Sequence, residues 1–179
     1  MTLIITDTTT PQALEFMRRS EGDWVSNRRY IYNANKKVAR MVNYETHFTV
    51  SYVGDDVWRN EWVSYVDGKE DPSSQGVMNM HVHDGLLSRD RAYMSDNPDQ
   101  QLIQIIDKDC LVFLSAYGGM SFREEIRLCE NDNVRLRQTY GKRDESDEIF
   151  LVGQYYEKRK LNRDTTIGGQ NVVEDSDPI

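Results

Sequence analysis

Arg135 and Arg137, one residue apart in "NVRLRQ", hold the strongest chemical signal in the chain, because alternate residues of a β-strand project from the same face. Arg89 and Arg91 repeat that spacing in "LLSRDRAY". Guanidiniums paired in this way either stand in solvent on the outside of a sheet or, turned into a barrel, grip carboxylates through forked hydrogen bonds that water contests weakly. Glu125 lies upstream of them across an "ENDN" turn. An odd number of loop residues there puts Glu125 on the arginine face and an even number puts it on the opposite one; the sequence leaves both open.

The aromatic signal is equally two-sided. Trp58, Asn60 and Trp62 share a face in "VWRNEWV", where two indoles and an amide suit either a barrel core or a flat conjugated ligand. Metal chemistry finds little support: His81 and His83 share a strand face, but spacing fixes no third ligand for them, so no metal is expected. Cys110 and Cys129 border turns outside any reactive context, and there is no Gly-x-Ser-x-Gly elbow. "YGGMS" lacks the spacing of a phosphate loop.

These side chains need strands to aim them. Thr10 followed by Pro11 predicts an N-cap and first helical position, Ala13, Leu14 and Met17 give an apolar stripe, and "SEGD" stops the helix. From Trp24 onward the pattern turns to period two. In "VARMVNYETHFTVSYV", Val42, Tyr44, Phe48 and Val50 fall on one face, while Asn43, Glu45, His47 and Thr49 fall on the other. Further strands are predicted at 57–66, 76–83, 86–94, 102–107, 111–117, 121–129, 133–141 and 148–159, separated by turns such as "DGKEDPSSQG". Short strands at regular spacing with one short helix predict an all-β antiparallel sandwich or up-and-down barrel, wound as a meander. One domain is expected over 1–160, with "LNRDTTIGGQNVVEDSDPI" as a polar tail over 161–179.

The length of 179 residues suits a single core, and the formal charge of −8 makes nucleic acid and an anionic bilayer poor partners, since the phosphate term is repulsive. Two cysteines do not make a disulfide framework, which favours a reducing cytoplasm. The start "MTLIITDTTTPQ" supports neither a signal peptide nor a membrane span.

Several stretches, in order, resemble the motifs of one known family. In "EFMRRSEGDWVSNRR", Gly22, Trp24, Ser26 and Arg28 match a Gly-x-Trp-x-Ser-Gln-Arg-Thr opening, with Asn27 in the Gln position. "NEW" at 60–62 is similar to the family's Met-Glu-Trp, and "GLLSRDRAY" to its Gly-x-Leu-x-Arg-Asp-x-x-Tyr. "EEIRLCENDNVRLR" resembles Glu-Glu-x-Leu-Trp-Phe followed by Asn-Leu-Arg-Leu-Arg, and "YYEKRK" the closing Ser-Glu-Ile-Arg strand. The family they resemble is the S-type phycobiliprotein bilin lyases, the CpcS/CpeS group, and the likeness runs over roughly 14–160.

That resemblance implies a calycin-type, fatty-acid-binding-protein-like (lipocalin-like) β-barrel with a helix near one end. It implies an open-chain tetrapyrrole, phycoerythrobilin or phycocyanobilin, as transferred substrate rather than a permanently bound cofactor. The activity implied is attachment of that bilin through a thioether to a cysteine of an apo-phycobiliprotein subunit of phycoerythrin or phycocyanin type. A carrier of bilins or fatty acids on the same barrel is the alternative. Carried over by position, Arg135 and Arg137 hold the propionates, Glu125 and Glu157 supply the catalytic carboxylates, and Trp62, Asn27 and Arg28 complete the pocket. A homodimer or a heterodimer with a related lyase is a further expectation. So is a cytoplasmic setting in a cyanobacterium-type cell, a plastid stroma or a phage-infected cell.

Overall fold

The structure is a computed structural model that describes residues 9–32, 39–91, 97–146 and 148–160. One helix, α1 (Thr9–Arg19), precedes ten strands: β1 (Gly22–Tyr32), β2 (Arg40–Gly54), β3 (Val57–Val66), β4 (Lys69–His83) and β5 (Leu86–Arg89), then β6 (Asp99–Asp107), β7 (Cys110–Tyr117), β8 (Met120–Cys129), β9 (Val134–Arg143) and β10 (Ile149–Arg159). Each strand pairs antiparallel with its sequence neighbour, and β1 also pairs with β10, which closes the barrel. The meander, with one short helix among the described residues, agrees with the period-two reading, and closure leaves the sheet no edge. No helix among the described residues is long and apolar enough to cross a membrane. The tail expected over 161–179 lies outside the described residues.

The hairpin between β3 and β4 departs from expectation. "DGKEDPSSQG" is not one long turn: only Asp67 and Gly68 make it, both left-handed (φ 51° and 73°), and β4 already begins at Lys69. Asp-Gly is the pair that such a two-residue hairpin turn favours. Pro72 lacks an N–H for the ladder, and the register shifts between the Val63↔Gln75 and Tyr65↔Glu70 pairs that flank it, so the proline is tolerated in an irregularity. At the other limit, β5 stops at Arg89, and part of the strand expected over 86–94 lies outside the described residues.

The helix covers one end of the barrel because its apolar stripe has nowhere else to go. Ala13, Phe16 and Met17 follow helical spacing, are buried, and join Trp24, Phe48, Trp58, Leu111 and Leu128 in the core. Burying a side chain of the size of Phe16 is worth about 1.5–3 kcal/mol. Three turns at that end hold the helix. Thr10 does not serve as the cap before the helix, which starts at Thr9; its hydroxyl accepts from the Gly85 N–H at 2.8 Å in the β4–β5 turn. Arg19 donates to Asp132 at 2.6 and 2.9 Å in the β8–β9 turn, and to Asp109 at 2.6 Å and the Lys108 carbonyl at 2.7 Å in the β6–β7 turn. Arg159 caps the helix end by donating to the Arg19 carbonyl at 2.7 Å and to the Glu21 carbonyl, acceptors that lack partners within the helix.

Candidate ligand site in the barrel lumen

Strand alternation turns one side chain in two into the barrel, and on β9 the inward set is Arg135, Arg137 and Thr139, all buried while Leu136 between them is exposed. The turn Glu130–Asn133 decides what faces them. Cys129 pairs with Val134 across it, so the loop holds an even number of residues, with Glu130, Asn131 and Asp132 all left-handed. In that register Glu124 is opposite Thr139 and Glu125 opposite Gln138. Glu124 therefore points inward and is buried, and Glu125 stands on the outer face.

Two buried ion pairs result. Glu157, fully buried on β10, accepts from Arg135 at 2.7 Å and from the Ser26 hydroxyl at 3.1 Å. The Arg135 guanidinium also lies over the rings of Trp24 at 4.9 Å and Phe48 at 5.1 Å. Nearer the other end, Arg137 donates to Glu124 at 2.6 Å, and Thr139 supports the same carboxylate oxygen at 3.3 Å. The ring of Tyr155 carries Arg137 at 4.8 Å and Arg28 at 5.6 Å. Arg28 reaches the Ser26 hydroxyl at 3.1 Å and meets no carboxylate among the described residues. A third buried pair, Arg89 with Asp99, bridges β5 and β6.

These groups surround a cavity of about 240 Å³ lined by Arg28, Trp62, Glu124, Arg137, Thr139 and Tyr155. A smaller void of about 50 Å³ continues toward the helix, where Asn60 and Arg135 line it. Burial alone would raise the carboxyl of Glu157, but the guanidiniums of Arg135, Arg137 and Arg28 outweigh it and hold its pKa below the ordinary carboxylate value. Burial also pushes the Tyr155 phenol well above its ordinary pKa, assisted by Tyr30 and opposed by Arg137. The site therefore keeps an ionised acid, neutral phenols and several guanidiniums in one place, which suits a flat ligand with carboxylate arms.

Of the residues singled out in the sequence, Arg135, Arg137, Glu157, Arg28 and Trp62 meet in the lumen. Asn27 and Glu125 do not. Asn27 is exposed on the outer face of β1, and both residues line an external groove of about 760 Å³ with Arg127 and Gln138. That groove is the larger and more solvated concavity and is also lined by Arg28, Arg137 and Tyr155, while the buried carboxylates Glu124 and Glu157 lie on the lumen side. Glu125 there contacts Arg123 at 2.8 Å and the Cys110 thiol at 3.8 Å. The lumen groups passed over in the sequence are Glu124, Thr139, Tyr155 and Asp99. Counting alternate residues back from Glu157 gives Tyr155, so that signal was present; Glu124 needed the turn parity.

A closed ten-stranded antiparallel barrel with a helix over one end and ion-paired arginines around an interior cavity is the architecture of a small-ligand-binding β-barrel. The chain belongs to the CpeS-like family, whose model matches residues 58–160. It is 25% identical over 166 residues to a candidate phycocyanobilin lyase, CpcS 2, of Nostoc sp. (strain PCC 7120), covering 83% of this chain and 91% of the relative. It is 26% identical over 172 residues to a candidate chromophore lyase, CpcV, of Picosynechococcus sp., covering 84% and 83%. Among solved structures it resembles the S-type phycobiliprotein lyase CPES of Guillardia theta, with a TM-score of 0.62 at 16% identity over 84% of this chain and 94% of that one. A Mycobacterium tuberculosis protein, Rv2717c, shares the fold at a TM-score of 0.55 and 12% identity, over 83% and 98%.

Proposed function

We propose that the lumen binds a free open-chain tetrapyrrole, phycoerythrobilin or phycocyanobilin, and presents it to a cysteine of an apo-phycobiliprotein subunit of phycoerythrin or phycocyanin type. One observation carries the reading: Arg28 and Arg137 line an aromatic-walled cavity and Arg135 the void that continues from it, and among the described residues the carboxylates paired with these three guanidiniums are Glu124 and Glu157. The surplus positive charge favours an anionic ligand, and bilin propionates are anions on a flat conjugated frame. The names of the relatives point the same way.

The reaction adds the acceptor's thiol across the exocyclic double bond of ring A. A carbon–sulfur bond forms, the thiol proton ends on the neighbouring ring carbon, and nothing leaves. The lyase supplies position: a held pigment turns a promiscuous addition into an oriented one. Glu124 lines the cavity and is placed to meet pyrrole N–H groups and relay the proton, while Glu157, buried behind it, holds Arg135 in position. Glu125, on the outer face, bears on transfer through the acceptor's approach rather than through the pigment. A cavity of about 240 Å³ falls below the ~300–1,000 Å³ usual for wholly enclosed ligands, which supports partial entry with the reactive end outside.

The test is transfer. With bilin and an apo-subunit, the protein raises the yield and regiospecificity of thioether product over the spontaneous reaction. Pigment binding without added product would make the protein a carrier instead.

A further inference from the structure

Three interior glycines have no backbone need to be glycine. Among the described residues the left-handed glycines are Gly22, Gly54, Gly68, Gly85, Gly118 and Gly119, and Gly76, Gly141 and Gly153 are not among them. What each lacks is room. A Cβ on Gly76 would sit 2.8 Å from Cζ2 and 2.9 Å from Cη2 of Trp62, its cross-strand partner. On Gly153 it would sit 2.6 Å from the Tyr155 hydroxyl and 3.0 Å from its ring, and on Gly141 3.0 Å from Phe122. Carbon atoms in contact prefer about 3.5–4.0 Å, so in each case the ring occupies the space a side chain would need.

We infer that Gly76 and Gly153 are specificity-determining positions of the lumen: each bares a patch of wall against which an aromatic ring lies, and so keeps the cavity wide enough for a flat conjugated ligand. Trp62 and Tyr155 line the cavity from different strands, with the glycines hidden behind them. Displacing Tyr155 also moves the support of Arg28 and Arg137, whose guanidiniums lie over its ring. Gly153 thus positions the anion-holding groups without touching ligand. The inference rests on the bilin reading and names which positions set the shape of its pocket.

A double-mutant cycle tests it. Wild type, Gly76→Ala, Trp62→Leu and the double variant are titrated with phycoerythrobilin and phycocyanobilin by absorbance, with folding checked by far-ultraviolet circular dichroism. Gly76→Ala weakens pigment binding about tenfold in the wild-type background and less than about twofold in the Trp62→Leu background. An equal loss in both backgrounds, or none in either, overturns the inference. If Gly76→Ala does not fold, a folded double variant places the clash at Trp62 as inferred, and an unfolded one overturns it. The matching cycle over Gly153 and Tyr155 reads the second position by the same criteria. Wild type that leaves both pigment spectra unchanged overturns the bilin reading and the inference with it, whereas wild type and Gly76→Ala binding equally overturns the inference alone.

Discussion

Arg137 and Glu124 meet at 2.6 Å inside the barrel, each side chain 7% exposed, while Glu125, the next residue along, stands outside. One residue of register separates an acid that can touch a lumen ligand from one that cannot. Glu124→Gln is accordingly expected to lower the rate of bilin transfer more than Glu125→Gln, by about tenfold or more, because only the former removes a charge beside the pigment. Comparable loss in both, measured as thioether yield on an apo-subunit, would move the proton relay out of the lumen.

Arg137 also predicts a difference in affinity. A charge-assisted hydrogen bond to a propionate is worth about 1.5–3 kcal/mol, so Arg137→Ala weakens bilin binding by about ten- to a hundredfold. Arg59 pairs with Glu61 on the outer face, and Arg59→Ala is expected to leave the same titration within about twofold.

Glu157 gives a pH dependence with a definite sign. Its pKa is held down in the folded state, so it stabilises the fold at pH above its ordinary value near 4.3 and loses that contribution as the pH falls through the lower folded value. Thermal melts of wild type should fall as the pH is taken below about 5, toward the lowered folded value of Glu157. Glu157→Gln leaves Arg135 buried without its counter-charge, costs about 3–5 kcal/mol at neutral pH, and flattens part of the acid limb. A variant with an unchanged melt would refute the pairing.

Cys110 should be chemically silent. It has no exposed surface, and burial pushes its thiol up to about 11, well above physiological pH. Alkylation at pH 8 is expected to leave Cys110 unmodified until the protein unfolds, as read by peptide mass mapping.

The sequence carried the architecture further than the site. Period-two alternation through β2 and across β8 to β10 pointed to an antiparallel meander, sandwich or barrel, because a half-buried strand cannot hide its pattern, and the family resemblance chose the barrel. The alternation failed where a local irregularity overrode composition: Pro72 and its neighbours look like loop but belong to β4, held there by an Asp-Gly turn and an irregular pairing. Arg135, Arg137 and Trp62 were legible as alternate residues of strands, whereas Arg28 and Glu157 came by position from the family resemblance. Glu125 and Asn27 were carried over by position along the chain, which says nothing of the face a side chain takes. Glu124 became visible only once the turn after Cys129 was known to hold four residues, Glu130–Asn133.

The central claim is that buried arginines in the lumen hold the carboxylates of a tetrapyrrole. It is tested most directly by titrating wild type with phycocyanobilin and, in parallel, with its dimethyl ester, which keeps the conjugated frame but removes both negative charges. The account predicts a saturable, red-shifted spectrum with the free acid and binding at least about tenfold weaker with the ester. Equal binding of the two, or no spectral change with the acid, would contradict it.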